Sequence, residues 1–260
     1  MQKTNKLIKV SAISYINTYP FLYGLENAPV KNQIELSIDI PSKCAEKLLT
    51  HQTDLGLAPV AVLNQHPELQ IISDYCIGSH NTVKTVILAS NCPLQQIKTI
   101  YLDYQSKTSI ALVQILCKNL WKINPVFLPA QPGYEKKLTQ NAAGVIIGDR
   151  VFYMEKNFNY VFDLVEEWYK LTALPFVFAA WIANKPLADS FVTAFNEALN
   201  SGIQNIDKAV DKALTQHPEI PKKTIIAYYE KHIDYSFDKP KKEALKLFLE
   251  ALKKTTLISC

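Results

Sequence analysis

The chain's chemistry-bearing residues gather in five short polar clusters, each set against an apolar run. Ser14, Tyr15, Asn17 and Thr18 lie between a run that ends at Ile13 and one that resumes at Phe21, and they offer more hydroxyl and amide groups than a capping turn uses. Pro41 and Ser42 open a helix whose free backbone N–H groups favour an anion, although N-capping by Ser42 accounts for the same pair. Residues 58–60 form another strand-to-helix turn, where backbone groups matter more than side chains. Ser79, His80, Asn81 and Thr82 make a polar turn, with His80 the default general base against the simpler reading of an exposed loop histidine. Ser106, Thr108 and Ser109 lead into an apolar helix and form a carboxylate-binding nest, one of the three being free to cap the helix. Asp149 and Arg150 end the fifth cluster. Arg150, the only arginine, suits either a two-pronged grip on a carboxylate or a structural salt bridge with the segment that follows, and Asp149 is the better ligand-facing member.

These groups point to recognition of a small anion. The sequence has no GxGxxG or GxxxxGK[ST] loop, HExxH pair, GxSxG elbow or CxxC pair, so nucleotide, zinc and serine-hydrolase chemistry find no support. Cys44, Cys76, Cys92, Cys117 and Cys260 are odd in number, widely spaced and mostly in apolar surroundings, which suits small core residues in a reducing compartment. A net charge of +4, spread over scattered lysines, helps to attract an anionic metabolite but does not argue for nucleic acid. Lys9 interrupts the first apolar run, and the longest uncharged one, residues 173–183, is about half a membrane span and contains Pro175. The expectation is a cytoplasmic protein without stable membrane association, cofactor or metal; the oligomeric state is not set, and a homodimer is open.

The clusters need a scaffold that ends strands at helix starts. Strand-like runs at 7–13, 34–40, 55–58, 70–75, 83–89, 99–102, 125–128, 145–147 and 176–182 alternate with helical ones, which predicts an α/β fold with mainly parallel sheets. Crossovers near 90–94 and 180–186 predict the two-lobed layout of a type II periplasmic-binding-protein fold, with an inter-lobe ligand cleft. One lobe takes residues 1–89 and 181–260, with C-terminal helices, and the other residues 90–180. Everything after Pro186 reads as helical, broken at Ser201 and Gly202, with a last helix that buries Leu245, Phe248, Leu249 and Leu252 on its own lobe.

SYINTYP after the first strand, PSxxAxxLxxxxxDxGLxPV at 41–60, LDYQSKTS at 102–109, IIGDR at 146–150 and FDLVEEWYKLTALPFVFAAW at 162–181 resemble the chorismate dehydratase family of the futalosine route to menaquinone. The resemblance covers nearly the whole chain. It implies elimination of water from chorismate to give 3-[(1-carboxyvinyl)oxy]benzoate. Asn17, Ser79 and Asp149 would then be catalytic, while Tyr15, Thr18, Ser42, Asn81, Thr82, Ser106, Thr108 and Ser109 would bind substrate. The base would be Asp149, His80 or the substrate's own enolpyruvyl carboxylate. Asn81 and Thr82 replace an expected Gly and Pro, and Lys107 an expected Arg. The sibling enzyme that forms dihydroxynaphthoate opens with a SPCPNDTF-like motif that is absent here, and a non-catalytic small-anion binding protein is the remaining alternative.

Overall fold

All nine strand expectations are met in the computed structural model, which describes residues 6–255. In chain order the elements are β1 (Ile8–Ile13), α1 (Tyr19–Asn27), β2 (Ile34–Asp39), α2 (Pro41–Leu49), β3 (Leu55–Pro59), β4 (Gln70–Ser79), β5 (Val86–Ser90), β6 (Thr99–Leu102) and α3 (Lys107–Leu116). There follow β7 (Val126–Pro129), β8 (Ala142–Ile147), α4 (Val151–Met154), β9 (Tyr160–Asp163), α5 (Leu164–Thr172), β10 (Phe176–Ala183), α6 (Asp189–Gln204), α7 (Ile206–Gln216), α8 (Lys222–Lys231), β11 (Asp234–Ser236) and α9 (Lys239–Lys253). Two strands are additions to the sequence expectation. β9 is an edge strand of four residues, and β11 is only three residues long inside a stretch read as helical, so neither carries a clear periodic signal.

The chain divides into two compact units: one holds the chain up to Pro59, Gln65–Ile77 and Ala179–Phe237, and the other holds Val60–Asn64, Gly78–Phe178 and the chain from Asp238 on. Residues 78–89 and the last helix therefore group with the second unit, where the sequence reading had put them in the first. Two contacts explain this. β5 is an interior strand of the second sheet, paired on one side with β8 and on the other with β9. The Phe248 ring of α9 lies 6.2 Å from Trp168 and 5.1 Å from Phe176, all in the second unit.

Both sheets are mixed rather than mainly parallel. The six-stranded sheet runs β11-β4-β10-β3-β1-β2, with β1 parallel to β2 and β3 but β10 antiparallel to β3. The five-stranded sheet runs β7-β6-β8-β5-β9, with β6 parallel to β7 and β8 and β5 antiparallel to β8 and β9. The parallel members carry the expected strand-to-helix turns at their carboxyl ends, where open α/β sheets bind ligands.

Gly202 does not break a helix. It sits inside α6 and faces α1, where a Cβ would lie 1.8 Å from the Pro20 carbonyl oxygen, while one on Gly24 of α1 would lie 1.9 Å from that of Ala198. The two glycines let the helix backbones touch, and α1 is thereby held at the start that follows the first polar cluster. Among the described residues no helix is long and apolar enough to cross a membrane.

Because neither backbone can yield to a methyl group without separating the helices, Gly24→Ala and Gly202→Ala are each expected to lower unfolding free energy by about 3 kcal/mol. Urea titration checks this, and unchanged midpoints would refute the close-contact reading.

Candidate active site

In the first unit, the polar turn after β1 and the start of α2 lie side by side because β1 and β2 are parallel neighbours. β1 and β2 run in parallel register, with Ile13 opposite Asp39, and Ser14 N–H donates to the Asp39 carbonyl oxygen at 2.9 Å. The Asp39 carboxylate accepts from Ser11 Oγ (2.8 Å), Ser37 Oγ (3.0 Å) and Lys47 Nζ (2.5 Å). Burial works against its charge, but these hydrogen bonds and the Lys47 ammonium outweigh it and hold the carboxyl below the usual aspartate range.

Tyr15, half-buried, precedes a short 3-10 turn, Ile16–Thr18, that contains Asn17 and leads into α1. Thr18 is fully buried and donates from Oγ1 to Asn17 Oδ1 at 3.2 Å. Asn17 Nδ2 points at the Tyr228 hydroxyl, 3.4 Å away. The turn's carbonyl groups are held by two more tyrosines, Tyr229 on Ile16 O at 2.8 Å and Tyr235 on Asn17 O at 2.9 Å. Burial, with Tyr228 beside it, pushes the Tyr235 phenol well above its usual range, so it remains a donor. None of these three tyrosines was singled out from the sequence.

Ser42 is the second residue of α2, not its cap. Ile40 takes the capping position in extended conformation and Pro41 supplies the first helical residue, so the Ser42 hydroxyl, half-buried, is not used to cap. Nearby Cys44 is inert: burial pushes its thiol up to about 12, and Ser11 Oγ contacts its sulfur at 3.1 Å. Cys76, Cys92 and Cys117 are also buried and take part in no disulfide among the described residues, with Cys117 pushed up to about 12 by burial, and Cys260 lies outside the described residues.

The second unit holds the other three clusters. Ser106 caps α3, its Oγ accepting from Ser109 N at 3.3 Å, and Ser109 Oγ donates to Ser106 Oγ at 3.2 Å. Thr108, fully buried, accepts from Ala61 N–H at 3.1 Å, so the turn after β3 is tied to this helix start. Ser79 is buried at the end of β4 and donates to the Thr82 carbonyl oxygen at 2.8 Å, which closes the turn that carries exposed His80 and Asn81 and half-buried Thr82. Asp149 is buried just after β8, beyond Gly148, whose φ of +73° needs the missing Cβ. Gly148 N–H donates to Thr85 O at 2.9 Å, joining the Asp149 turn to the segment that leaves Ser79.

Arg150 is committed to structure. Its guanidinium bonds Asp103 Oδ2, Glu135 Oε1 at 2.8 Å and the Ile147 carbonyl oxygen at 3.1 Å, with Tyr104 and Tyr134 rings each 5.7 Å away. Its acidic partners precede it in sequence, where the sequence reading had looked to the following segment. Asp103 has no exposed surface, and Tyr134 Oη and Gln105 N–H also donate to it, at 3.0 and 2.8 Å. Each unit thus presents neutral hydroxyl, amide and backbone donors at strand ends, while the charged groups behind them are paired.

Residues 8–254 match the menaquinone biosynthesis family. A chorismate dehydratase of Thermus thermophilus is 25% identical over 242 residues, taking in 82% of this chain and 84% of that one. Among solved structures, an Archaeoglobus fulgidus protein matches with a TM-score of 0.77 at 14% identity, covering 97% of this chain and 98% of its own. A Candida albicans protein described as having the generic periplasmic binding protein fold matches with a TM-score of 0.65 at 12% identity, covering 98% and 92%. The aliphatic sulphonate binding protein of Escherichia coli matches with a TM-score of 0.62 at 14% identity, covering 96% and 91%. These likenesses give the fold: it is periplasmic-binding-protein-like.

Asp39 and Arg150 yield separate predictions. A depressed carboxyl contributes stability above the ordinary aspartate range, about pH 4, and loses it as pH falls through the lowered value. Asp39→Asn is therefore expected to cost about 2 kcal/mol at neutral pH, a deficit that narrows in denaturant titrations at more acid pH. Arg150→Ala leaves buried Asp103 without its cation and is expected to cost about 3 kcal/mol; an unchanged unfolding midpoint would show the pair to be idle.

Proposed function

The chain belongs to the menaquinone biosynthesis family, and from that premise we propose that it is a hydro-lyase that eliminates water from chorismate to give 3-[(1-carboxyvinyl)oxy]benzoate. The observation that carries the reading is the supply of neutral donors at strand ends and helix starts. These are Asn17 and Ser42 in the first unit and Ser79, Ser106 and Ser109 in the second, in a chain 25% identical to a chorismate dehydratase.

Chorismate carries a ring carboxylate and an enolpyruvyl carboxylate. The proton to be lost sits on the ether-bearing ring carbon, vinylogous to the ring carboxylate, and the neighbouring hydroxyl departs. Removal of that proton spreads negative charge into the ring carboxylate, and loss of hydroxide then makes the ring aromatic. The driving force is in the substrate; the protein must orient it, stabilise the migrating charge and exclude other rearrangements. The starts of α3, at Ser106 and Ser109, and of α2, at Ser42, are suited to carboxylates through backbone N–H groups and hydroxyls. Asn17 and Ser79 are assigned to the reacting edge and the departing hydroxyl. Tyr15, Asn81 and Thr82 stand as further substrate contacts, while Thr18 and Thr108 act by holding Asn17 and Ala61. The base is Asp149 or the enolpyruvyl carboxylate itself, and a side-chain base is dispensable if the substrate supplies its own.

Incubation of the purified protein with chorismate, followed by chromatography with mass detection, is expected to give a product lighter by one water that co-elutes with 3-[(1-carboxyvinyl)oxy]benzoate. Asn17→Ala is expected to lower kcat by about 100-fold, the cost of one well-placed donor. Tight binding of chorismate with no turnover by the wild type would overturn the reading in favour of a binding protein.

A further inference from the structure

The turn that carries Ser79 is fastened by a carboxylate some eighty residues away in sequence. Asp163 ends β9 and caps α5: its Oδ1 accepts from Val165 N at 2.9 Å and Glu166 N at 3.3 Å. Its second oxygen faces the other way, accepting from Val83 N at 2.9 Å and Lys84 N at 2.7 Å. A cap needs only one oxygen. The second therefore does separate work on the segment between Ser79 and β5.

That segment is strained. Lys84 has a φ of +66°, a left-handed conformation that is unfavourable for a non-glycine residue. Such strain persists where surrounding contacts over-determine it, and it tends to gather near functional groups. Here the bond from Lys84 N–H to Asp163 Oδ2 holds the residue in place, and Thr85 N–H closes onto Val83 O at 2.7 Å. Just upstream, the Thr82 carbonyl oxygen accepts from Ser79 Oγ and so fixes the hydroxyl of Ser79. Just downstream, Thr85 O accepts from Gly148 N–H at the turn that precedes Asp149.

We propose that Asp163 is a positioning residue whose second carboxylate oxygen sets the Ser79–Thr82 turn and, through Thr85 and Gly148, the turn that presents Asp149. The proposal rests on the reading of Ser79 and Asp149 as reacting-site groups. A displacement of about 1 Å in such a group is enough to cost up to 100-fold in rate.

The test uses Asp163→Ser and Asp163→Asn, which keep a capping oxygen for α5 but withdraw the acceptor from Val83 and Lys84. Both are expected to fold, with kcat for chorismate lowered at least tenfold and KM changed less. In a cycle with Ser79→Ala, Asp163→Ser is expected to cost less in the Ser79→Ala background than alone, because the part of its effect that passes through Ser79 is already lost there, while the part that passes through Asp149 remains. Equal costs in the two backgrounds, or a folded variant with wild-type kcat, would overturn the proposal while leaving chorismate turnover intact. A wild type that does not turn chorismate over removes the reading of Ser79 and the proposal with it. Hydrogen exchange on the wild type tests the anchor without relying on a variant: the Val83 and Lys84 amides are expected to be protected as well as the first turn of α5, and loop-like exchange there also overturns the proposal.

Discussion

Where the backbone leaves a strand and enters a helix, an aspartate at or just after the strand's end gathers donors at three places in this protein, and at one of them it also caps the helix. Asp39 ends β2, Asp103 follows β6 and Asp163 ends β9. Each gathers more donors than a simple cap uses: two hydroxyls and an ammonium on Asp39, a guanidinium, a phenol and an N–H on Asp103, and four N–H groups on Asp163. A buried carboxylate is costly unless so satisfied, and one that is satisfied from two directions fixes the relative placement of the segments that supply the donors. The polar clusters depend on this. Ser11, on the strand that leads to the first cluster, is fixed to Asp39, the approach to Ser106 begins at Asp103, and the segment after Ser79 is tied to Asp163.

Charge is thereby spent on structure rather than on the ligand. Arg150 reads from its type as a carboxylate clamp, but a guanidinium has five donors in a fixed fork, and three of its contacts here are to Asp103, Glu135 and a carbonyl oxygen. Lys47 is likewise taken by Asp39. Beside Asp149, the groups left at the strand ends include hydroxyls, an amide and backbone N–H groups, several of them already given a direction by a neighbour. Ser106 is oriented by Ser109, Ser79 by Thr82 O, and Asn17 by Thr18 and Tyr228.

Local features were legible in the sequence because they depend on local periodicity and on cap chemistry. The strand that ends at Ile13, the polar turn after it and the serine cap of α3 are written within a few residues of one another. Long-range support is not. Tyr228 lies 211 residues from Asn17, and nothing in the spacing of a lone tyrosine says which carbonyl or amide it will meet. Gly202 shows a different limit: a glycine that relaxes a backbone and one that admits a neighbouring helix look alike until the neighbour is known. Asp163 combines both limits, since its role as a cap is local and visible while its second oxygen serves a segment eighty residues earlier.

Neutral donors have a kinetic advantage for the elimination proposed here. Chorismate is already a dianion in its ground state, so a fixed cation against each carboxylate would bind substrate and transition state nearly alike and add little to kcat. The charge that changes is the part that flows from the ring carbon into the ring carboxylate as the proton leaves. Hydroxyl and N–H groups held at a helix start respond to that increment, and they cost little reorganisation because Ser106 and Ser109 are already oriented by each other. A cradle without an arginine clamp also leaves the enolpyruvyl carboxylate basic enough to take the proton, which such a clamp would suppress by lowering its pKa. Pairing Arg150 internally is therefore consistent with the proposed chemistry as well as with stability, since the cation is held by buried Asp103 rather than set against a substrate carboxylate.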